Sequence, residues 1–453
     1  MKIIPNWRKG NYLARFGVIL TAAGLIAGMV GCFYTSPFRN LEIRTWYDLD
    51  AIRGNLTRSY VLMNDLDSTT AGYEELAGPE GNEGETWMPI GTEGDPFTGA
   101  FDGQGYEIRD LFAGSGFSHL GVFGFVDEGG QIEHIGVVDA VVVGHEVVGG
   151  LVGVCYGNVT NSYFTGRVTG HDCAGGLVGV CYGTVTNSHS TGSVTSDASA
   201  GGLVGVSYGT VSHCYATGTV IGGFVCVGGL LGQNEGTVTN SYSTSNVTGS
   251  GLAIGGLVGA NGWSANGYSG YGTVSNSYST GSVTGEDDVG GLVGANFPGS
   301  TMSNSYATGN VDGEREVGGL VGGNVGTVTN SRSTGSVTGN ESIGGLVGVN
   351  AVEGNVSNSY STGGVTGTSR VGGLVGWNYE GTVGHSFWDI ETSGQATSDG
   401  GMGKTGAEMK DITTFSGAGW NIIAVGLNET DPVYIWNIVD GLTYPFLSWQ
   451  PVS

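Results

Sequence analysis

Gly318-Gly319-Leu320-Val321-Gly322 opens a unit that continues through Thr327-Val328-Thr329-Asn330-Ser331-Arg332-Ser333-Thr334-Gly335-Ser336-Val337-Thr338-Gly339. Short β-branched runs broken by Gly and Asn favour extended backbone punctuated by turns. No helical spacing of apolar residues runs through the unit. The marker string recurs with its leucine at Leu151, Leu177, Leu203, Leu230, Leu257, Leu292, Leu320, Leu346 and Leu374, at intervals of 26, 26, 27, 27, 35, 28, 26 and 28 residues. A degenerate tenth copy is Gly121-Val122-Phe123-Gly124, and the long interval holds a loop, Asn261-Gly262-Trp263-Ser264-Ala265-Asn266-Gly267-Tyr268. Helix-free units of this length exclude helical repeat arrays, and a propeller blade needs roughly 40 residues. The expected fold is therefore all-β: a parallel β-helix (β-solenoid) of about ten coils, one per unit, with N- and C-terminal capping segments.

Stacked coils place equivalent residues in columns about 4.8 Å apart. Four residues after each marker leucine stand Cys155, Cys181, Ser207, Asn234, Asn261, Asn296, Asn324, Asn350 and Asn378. Stacked Asn amides can hydrogen-bond along such a column, so the six asparagines are expected as a structural ladder. Three residues before it, Val148, Ala174, Ala200, Val227, Ile254, Val289, Val317, Ile343 and Val371 form an apolar column suited to a core. A mostly aromatic column runs Tyr163, His189, Tyr215, Tyr242, Tyr278, Tyr306, Arg332, Tyr360 and Phe387. Parity leaves two placements open for it, the outer wall or the core.

Forty acids against fifteen bases give a net charge of −25. Such a surface is a poor partner for nucleic acid, which needs clustered Lys and Arg. Residues 1–31 carry bases up to Arg15 and then an apolar run before Met29-Val30-Gly31-Cys32. That order of charged, apolar and small residues is an export signal. Its junction resembles a bacterial lipobox, which implies lipidation of Cys32, with a plain secretory signal or an uncleaved anchor as alternatives. Cys155, Cys173, Cys181, Cys214 and Cys226 form no C-x-x-C pair and are expected as small buried side chains.

The unit Gly-Gly-Leu-Val-Gly-x-Asn, followed by Asn-Ser-Tyr-Ser-Thr-Gly-x-Val-Thr-Gly, resembles the GLUG motif of bacterial and archaeal surface and secreted proteins. Some of these are similar to filamentous haemagglutinin-type adhesins and some are attached to IgA-cleaving peptidases. The flanks resemble the closing segments of such proteins, as in Trp46-Tyr47-Asp48-Leu49 and Phe97-Thr98-Gly99-Ala100-Phe101, and again in Ser386-Phe387-Trp388-Asp389 and Tyr444-Pro445-Phe446-Leu447. The expected division is a lipoprotein-type signal peptide at 1–31, an N-terminal cap with the first coils at 32–116, the repeat solenoid at 117–390, and a C-terminal cap at 391–453. The resemblance implies an extracellular stalk and no defined reaction.

Sugar-cleaving β-helices need paired carboxylates, or acids with Ca²⁺ beside a base. Within the repeats Arg167, Arg315, Arg332 and Arg370 fall in different columns or distant coils, so no catalytic residue is assigned. Five residues before the marker stand Glu146, Asp172, Asp287 and Glu341, with Arg315 interrupting. They are expected as a solvated turn, with a weak Ca²⁺ site as the alternative. No cofactor is otherwise expected. His145-Glu146 and His171-Asp172 share two columns in adjacent coils, a speculative transition-metal cluster set against two plain surface histidines. The expected function is non-enzymatic: a monomeric protein of the cell surface or envelope, lipid-anchored or secreted, that binds an extracellular glycan or protein. The membrane is touched only through the N-terminal lipid. The alternatives are a passive envelope spacer and a carbohydrate-active lyase or hydrolase.

Overall fold

A computed structural model describes residues 40–450 apart from 85, 115–117 and 264–269. The signal-like segment, Cys32 and most of the loop after Trp263 lie outside the described residues. The remainder is a parallel β-solenoid of about ten turns.

One repeat shows how each rung is built. Arg315–Gly318 leads through the Gly-Leu turn into Val321–Asn324, then Thr327–Thr329, then Arg332–Ser333 and Val337–Thr338. Each piece pairs in parallel with its equivalents above and below. Val289 faces Val317, which faces Ile343. Asn296 faces Asn324, which faces Asn350. The strands stack into two 10-stranded sheets, a 13-stranded sheet and a fourth ladder. The 13-stranded sheet extends below the repeats through Leu41–Ile43, Ser59–Leu62 and Ala100–Asp102, so the N-terminal segment is itself part of the ladder.

The marker glycines are explained by how closely backbones approach. A Cβ on Gly318 would sit 1.9 Å from the Val321 carbonyl oxygen, across the tight turn. One on Gly322 would sit 2.4 Å from the Asp288 carbonyl carbon, where the strands before and after the marker meet. The marker leucines are fully buried, as are all but Val371 of the apolar column three residues earlier. A second internal device lies at the corner after the third strand. Asn304, Asn330 and Asn358 adopt left-handed backbone there, a conformation Asn tolerates. The next residue is a buried serine whose hydroxyl accepts the backbone N–H of the rung before, as from Ser305 to Ser331 (3.3 Å) and from Ser331 to Ser359 (3.1 Å).

At the N-terminal end Trp46, Trp87, Phe97, Phe101 and Phe123 join the solenoid core. The helix Trp46–Asp50 starts on a reciprocal capping box between Thr45 and Asp48. The indole nitrogens of Trp46 and Trp87 donate to the Asp67 and Val122 carbonyls.

The C-terminal segment, expected as one cap, divides into two parts. Residues 395–404 run along the last rung. Ser398 Oγ accepts from the N–H groups of Leu374 (3.2 Å) and Val375 (2.8 Å), and Met402–Lys404 pairs with Phe387–Asp389. Residues 405–450 instead lie against the flank. Their three-stranded sheet, Ile422–Ala424, Trp436–Ile438 and Phe446–Leu447, buries Met409, Phe415, Trp420 and Trp436 over Tyr306, Tyr360 and Phe387. Among the described residues no helix is long and apolar enough to cross a membrane.

Candidate functional site

The six column asparagines lie inside the solenoid, all buried except the half-buried terminal Asn378. Each amide nitrogen donates to the next amide oxygen: Asn234 to Asn261 (2.8 Å), Asn261 to Asn296 (2.9 Å), then Asn324, Asn350 and Asn378 at 2.8 Å each. Their amides bond to one another along the column and lie inside the solenoid, away from any ligand on the outer wall.

The aromatic column lies on the outer wall, which resolves the placement that parity left open. Tyr163, His189, Tyr215, Tyr242 and Tyr278 are half-buried, whereas the following residues Phe164, Ser190, Ala216, Ser243 and Ser279 point into the core. Their rings stack with centroids 4.5–5.1 Å apart and planes within 6° of parallel, ending at Tyr306. Arg332 continues the stack, its guanidinium carbon 4.9 Å from the Tyr306 ring centre. Rings stacked this way turn their faces to one another. They present edges and hydroxyls outward, so a sugar would meet hydrogen-bonding tips and not open ring faces.

The C-terminal unit divides this column. It buries Tyr306, Tyr360 and Phe387 and brings Trp449 against Tyr278, while Tyr163 to Tyr242 stay partly open. Burial, then hydrogen bonding and repulsion from the Glu107 carboxylate, push the Tyr163 hydroxyl up to about 12. Burial and the neighbouring tyrosines do the same for Tyr278. Both hydroxyls remain donors at neutral pH.

A second aromatic column was not singled out in the sequence. Phe125, Tyr156, Tyr182 and Tyr208 stack at 5.5, 4.3 and 4.7 Å, and Tyr182 and Tyr208 are 42% and 41% exposed. Its tyrosines occupy the position just after the Cys155, Cys181 and Ser207 column, while Phe125 is in register with Val154. Between the two aromatic columns the 13-stranded sheet shows Thr and Ser in register. Hydroxyl contacts join its rungs, as from Ser275 to Thr239 (3.3 Å) and Ser357 to Thr329 (3.2 Å).

The charged columns are sorted by the same register. Arg315 lies between Asp287 and Glu341 and pairs with Asp287, and Arg370 reaches Glu341 at 3.3 Å. The acids considered for Ca²⁺ are thus interleaved with arginine in the upper rungs. His145 and His171 stack at 4.5 Å with Asp172 alongside, whereas Glu146 adds charge near His119 and lies outside that cluster. Asp288 and Glu316 form an acid pair also missed in the sequence. Both turn toward Gly323, where a Cβ would lie 2.3 Å from Asp288 Oδ1 and 3.5 Å from Glu316 Oε2. Burial, then repulsion from Glu316, holds the Asp288 carboxyl well above the usual carboxylate range. The five described cysteines are buried and unpaired. Burial pushes the Cys155, Cys173, Cys214 and Cys226 thiols up to about 12, so they are inert at neutral pH.

Fold and repeat together define a parallel β-solenoid that contains GLUG-motif units. Residues 196–221, 222–248, 286–312 and 313–338 match the GLUG motif model. The chain is 33% identical over 133 residues to Halomucin of Haloquadratum walsbyi, a match covering 27% of this chain and 1% of that protein. It is also 33% identical over 165 residues to a protein of Evansella cellulosilytica named as a Gly-rich membrane protein, covering 33% of this chain and 18% of the relative. A solved structure described as a candidate immunoglobulin A1 protease from Bacteroides ovatus aligns over 91% of this chain and 93% of that one, at 20% identity and a TM-score of 0.40. The chain matches only a small part of the length of the two curated relatives, Halomucin and the Evansella cellulosilytica protein.

Proposed function

We propose that this protein is a non-enzymatic binding rod of the cell surface or envelope. It is exported by its N-terminal signal, held by lipid on Cys32 or released, and works as a monomer. Its ligand is an extracellular polymer rich in hydroxyls, a glycan in the first instance. The observation that carries this reading is the flank where Tyr163, His189, Tyr215 and Tyr242 stack partly open beside rows of Thr and Ser. A periodic hydrogen-bonding face suits a periodic partner, because each added rung repeats the same weak contact in register. The N-terminal signal and the relative named as a membrane protein support the location.

A glycan array probed with the mature chain, beside attachment assays on cells lacking it, tests the reading. Retention of a polymeric glycan, lost on Tyr215→Lys, supports it. Absence of any retained glycan or host protein, with attachment unchanged in the mutant cells, favours a passive spacer. Hydrolysis or elimination products from a retained glycan would favour the enzyme.

A further inference from the structure

We propose that His145, His171 and Asp172 form a binding site for a divalent transition metal such as Zn²⁺, and that Asp197 of the next rung supports it from the other ring nitrogen of His171. Four observations converge. His145 and His171 stand on adjacent rungs, where the His145 carbonyl accepts the N–H groups of His171 (2.9 Å) and Asp172 (3.0 Å). Their rings stack at 4.5 Å and 10°. One ligand atom from each of His145, His171 and Asp172 lies within 4.8 Å of the others. Asp197 continues the histidine column, its Oδ2 3.7 Å from His171 Nε2, while Asp172 Oδ1 is 2.6 Å from His171 Nδ1.

Two imidazoles with a carboxylate are the donor set of Zn²⁺, Ni²⁺ and Cu²⁺ and a poor one for Ca²⁺, which takes oxygen ligands. The backbone ladder fixes the spacing before any ion arrives, so little ordering is left for binding to supply. One adjustment is needed. The lone pairs of parallel rings point alike, so one imidazole must turn about its χ2 torsion to meet the ion. His145, His171, Asp172 and Asp197 are exposed, which leaves that turn free.

The placement is specific within the chain. Of its seven histidines only these two share a column on neighbouring rungs; His134, His213 and His385 occupy a common corner column but are separated by asparagine-bearing rungs. Cys173 is not a ligand, since its thiol is buried and turned to the Gly179 carbonyl. The column ends at Phe224, one rung beyond Asp197, so the site is confined to three rungs.

Calorimetry on the untagged mature chain, titrated with ZnCl₂ in excess CaCl₂, tests the site. The expected result is one saturable Zn²⁺ per chain, abolished in His171→Ala and in His145→Ala and weakened about tenfold in Asp197→Asn. Cu²⁺-loaded protein should show nitrogen hyperfine coupling from two imidazoles by electron paramagnetic resonance. Both histidines are exposed turn residues, and unchanged circular dichroism would show that the variants fold. No saturable uptake, uptake unchanged in His171→Ala, or displacement of Zn²⁺ by Ca²⁺ would each overturn the proposal. None of these outcomes depends on whether the flank binds a glycan.

Discussion

The lower and upper rungs fill one internal column by opposite means. In the lower three, Cys155, Cys181 and Ser207 are fully buried, and the thiols of the first two behave as small apolar groups. In the upper six, asparagines occupy the same place and pass a hydrogen bond from rung to rung. Either solution serves because each is self-consistent. A thiol column asks for nothing, whereas an amide column satisfies each member only through its neighbours. The cost falls at the junction, where the Ser207 hydroxyl is buried without a partner. A repeat protein can therefore change its internal chemistry along its length, but it leaves a defect where the change occurs.

The largest expected effect strips the upper rungs of their flank. A chain ending after Lys404 keeps the segment paired to the last rung but uncovers Tyr306, Tyr360 and Phe387. It should bind a hydrophobic dye strongly and self-associate on size-exclusion chromatography. A monomeric, dye-silent truncation would show that residues 405–450 do not protect the flank. Next in size is Asn324→Ala, which strands the Asn296 amide nitrogen below and the Asn350 amide oxygen above. A loss of about 3 kcal/mol is expected from two unmet buried groups. Cys181→Ala, in the same column lower down, should cost about 1 kcal/mol. Equal losses in chemical denaturation would remove the distinction between the two halves.

The junction can also be repaired. Ser207-Tyr208-Gly209-Thr210 and Asn234-Glu235-Gly236-Thr237 have the same turn length, so an asparagine at 207 has the backbone it needs. Its amide nitrogen would donate to Asn234 Oδ1, which now accepts only the Gly236 N–H (3.2 Å) and has a second lone pair. Ser207→Asn should stabilise by about 1 kcal/mol. If it destabilises instead, the lower rungs are too tightly packed for an amide, and size, not hydrogen bonding, sets the boundary.

What was legible in the sequence was whatever repeats in register. The coil, the apolar column and the rung-to-rung neighbours follow from the marker spacing, because parallel stacking turns sequence period into spatial adjacency. Three features escaped. The Tyr156, Tyr182 and Tyr208 stack spans too few rungs to stand out from the composition. Residues 405–450 have no repeat, so nothing in their order says that they turn back onto the flank. The pair Asp288 and Glu316 escaped for a conformational reason. Both residues adopt left-handed backbone (φ 50° and 52°), which breaks the alternation of sides on which strand reading depends. The acids one position earlier, Asp287 and Glu341, were visible as a column, while the ones that meet in space were not.

The last expected effect concerns that pair. The folded value for the Asp288 carboxyl lies above its ordinary 3.8, so the folded chain holds a proton that the unfolded chain has released. Below pH 4 or so both states are protonated and nothing is lost. As pH rises through the unfolded value toward the folded one, stability falls, and it stays lower above the folded value, where a charge is forced beside Glu316. Asp288→Asn removes that charge while keeping the shape. It should raise the melting temperature at pH 7, and the gain should vanish by about pH 4. A gain of equal size at both pH values would mean that the asparagine improves packing, and that Asp288 and Glu316 do not repel one another in the folded chain.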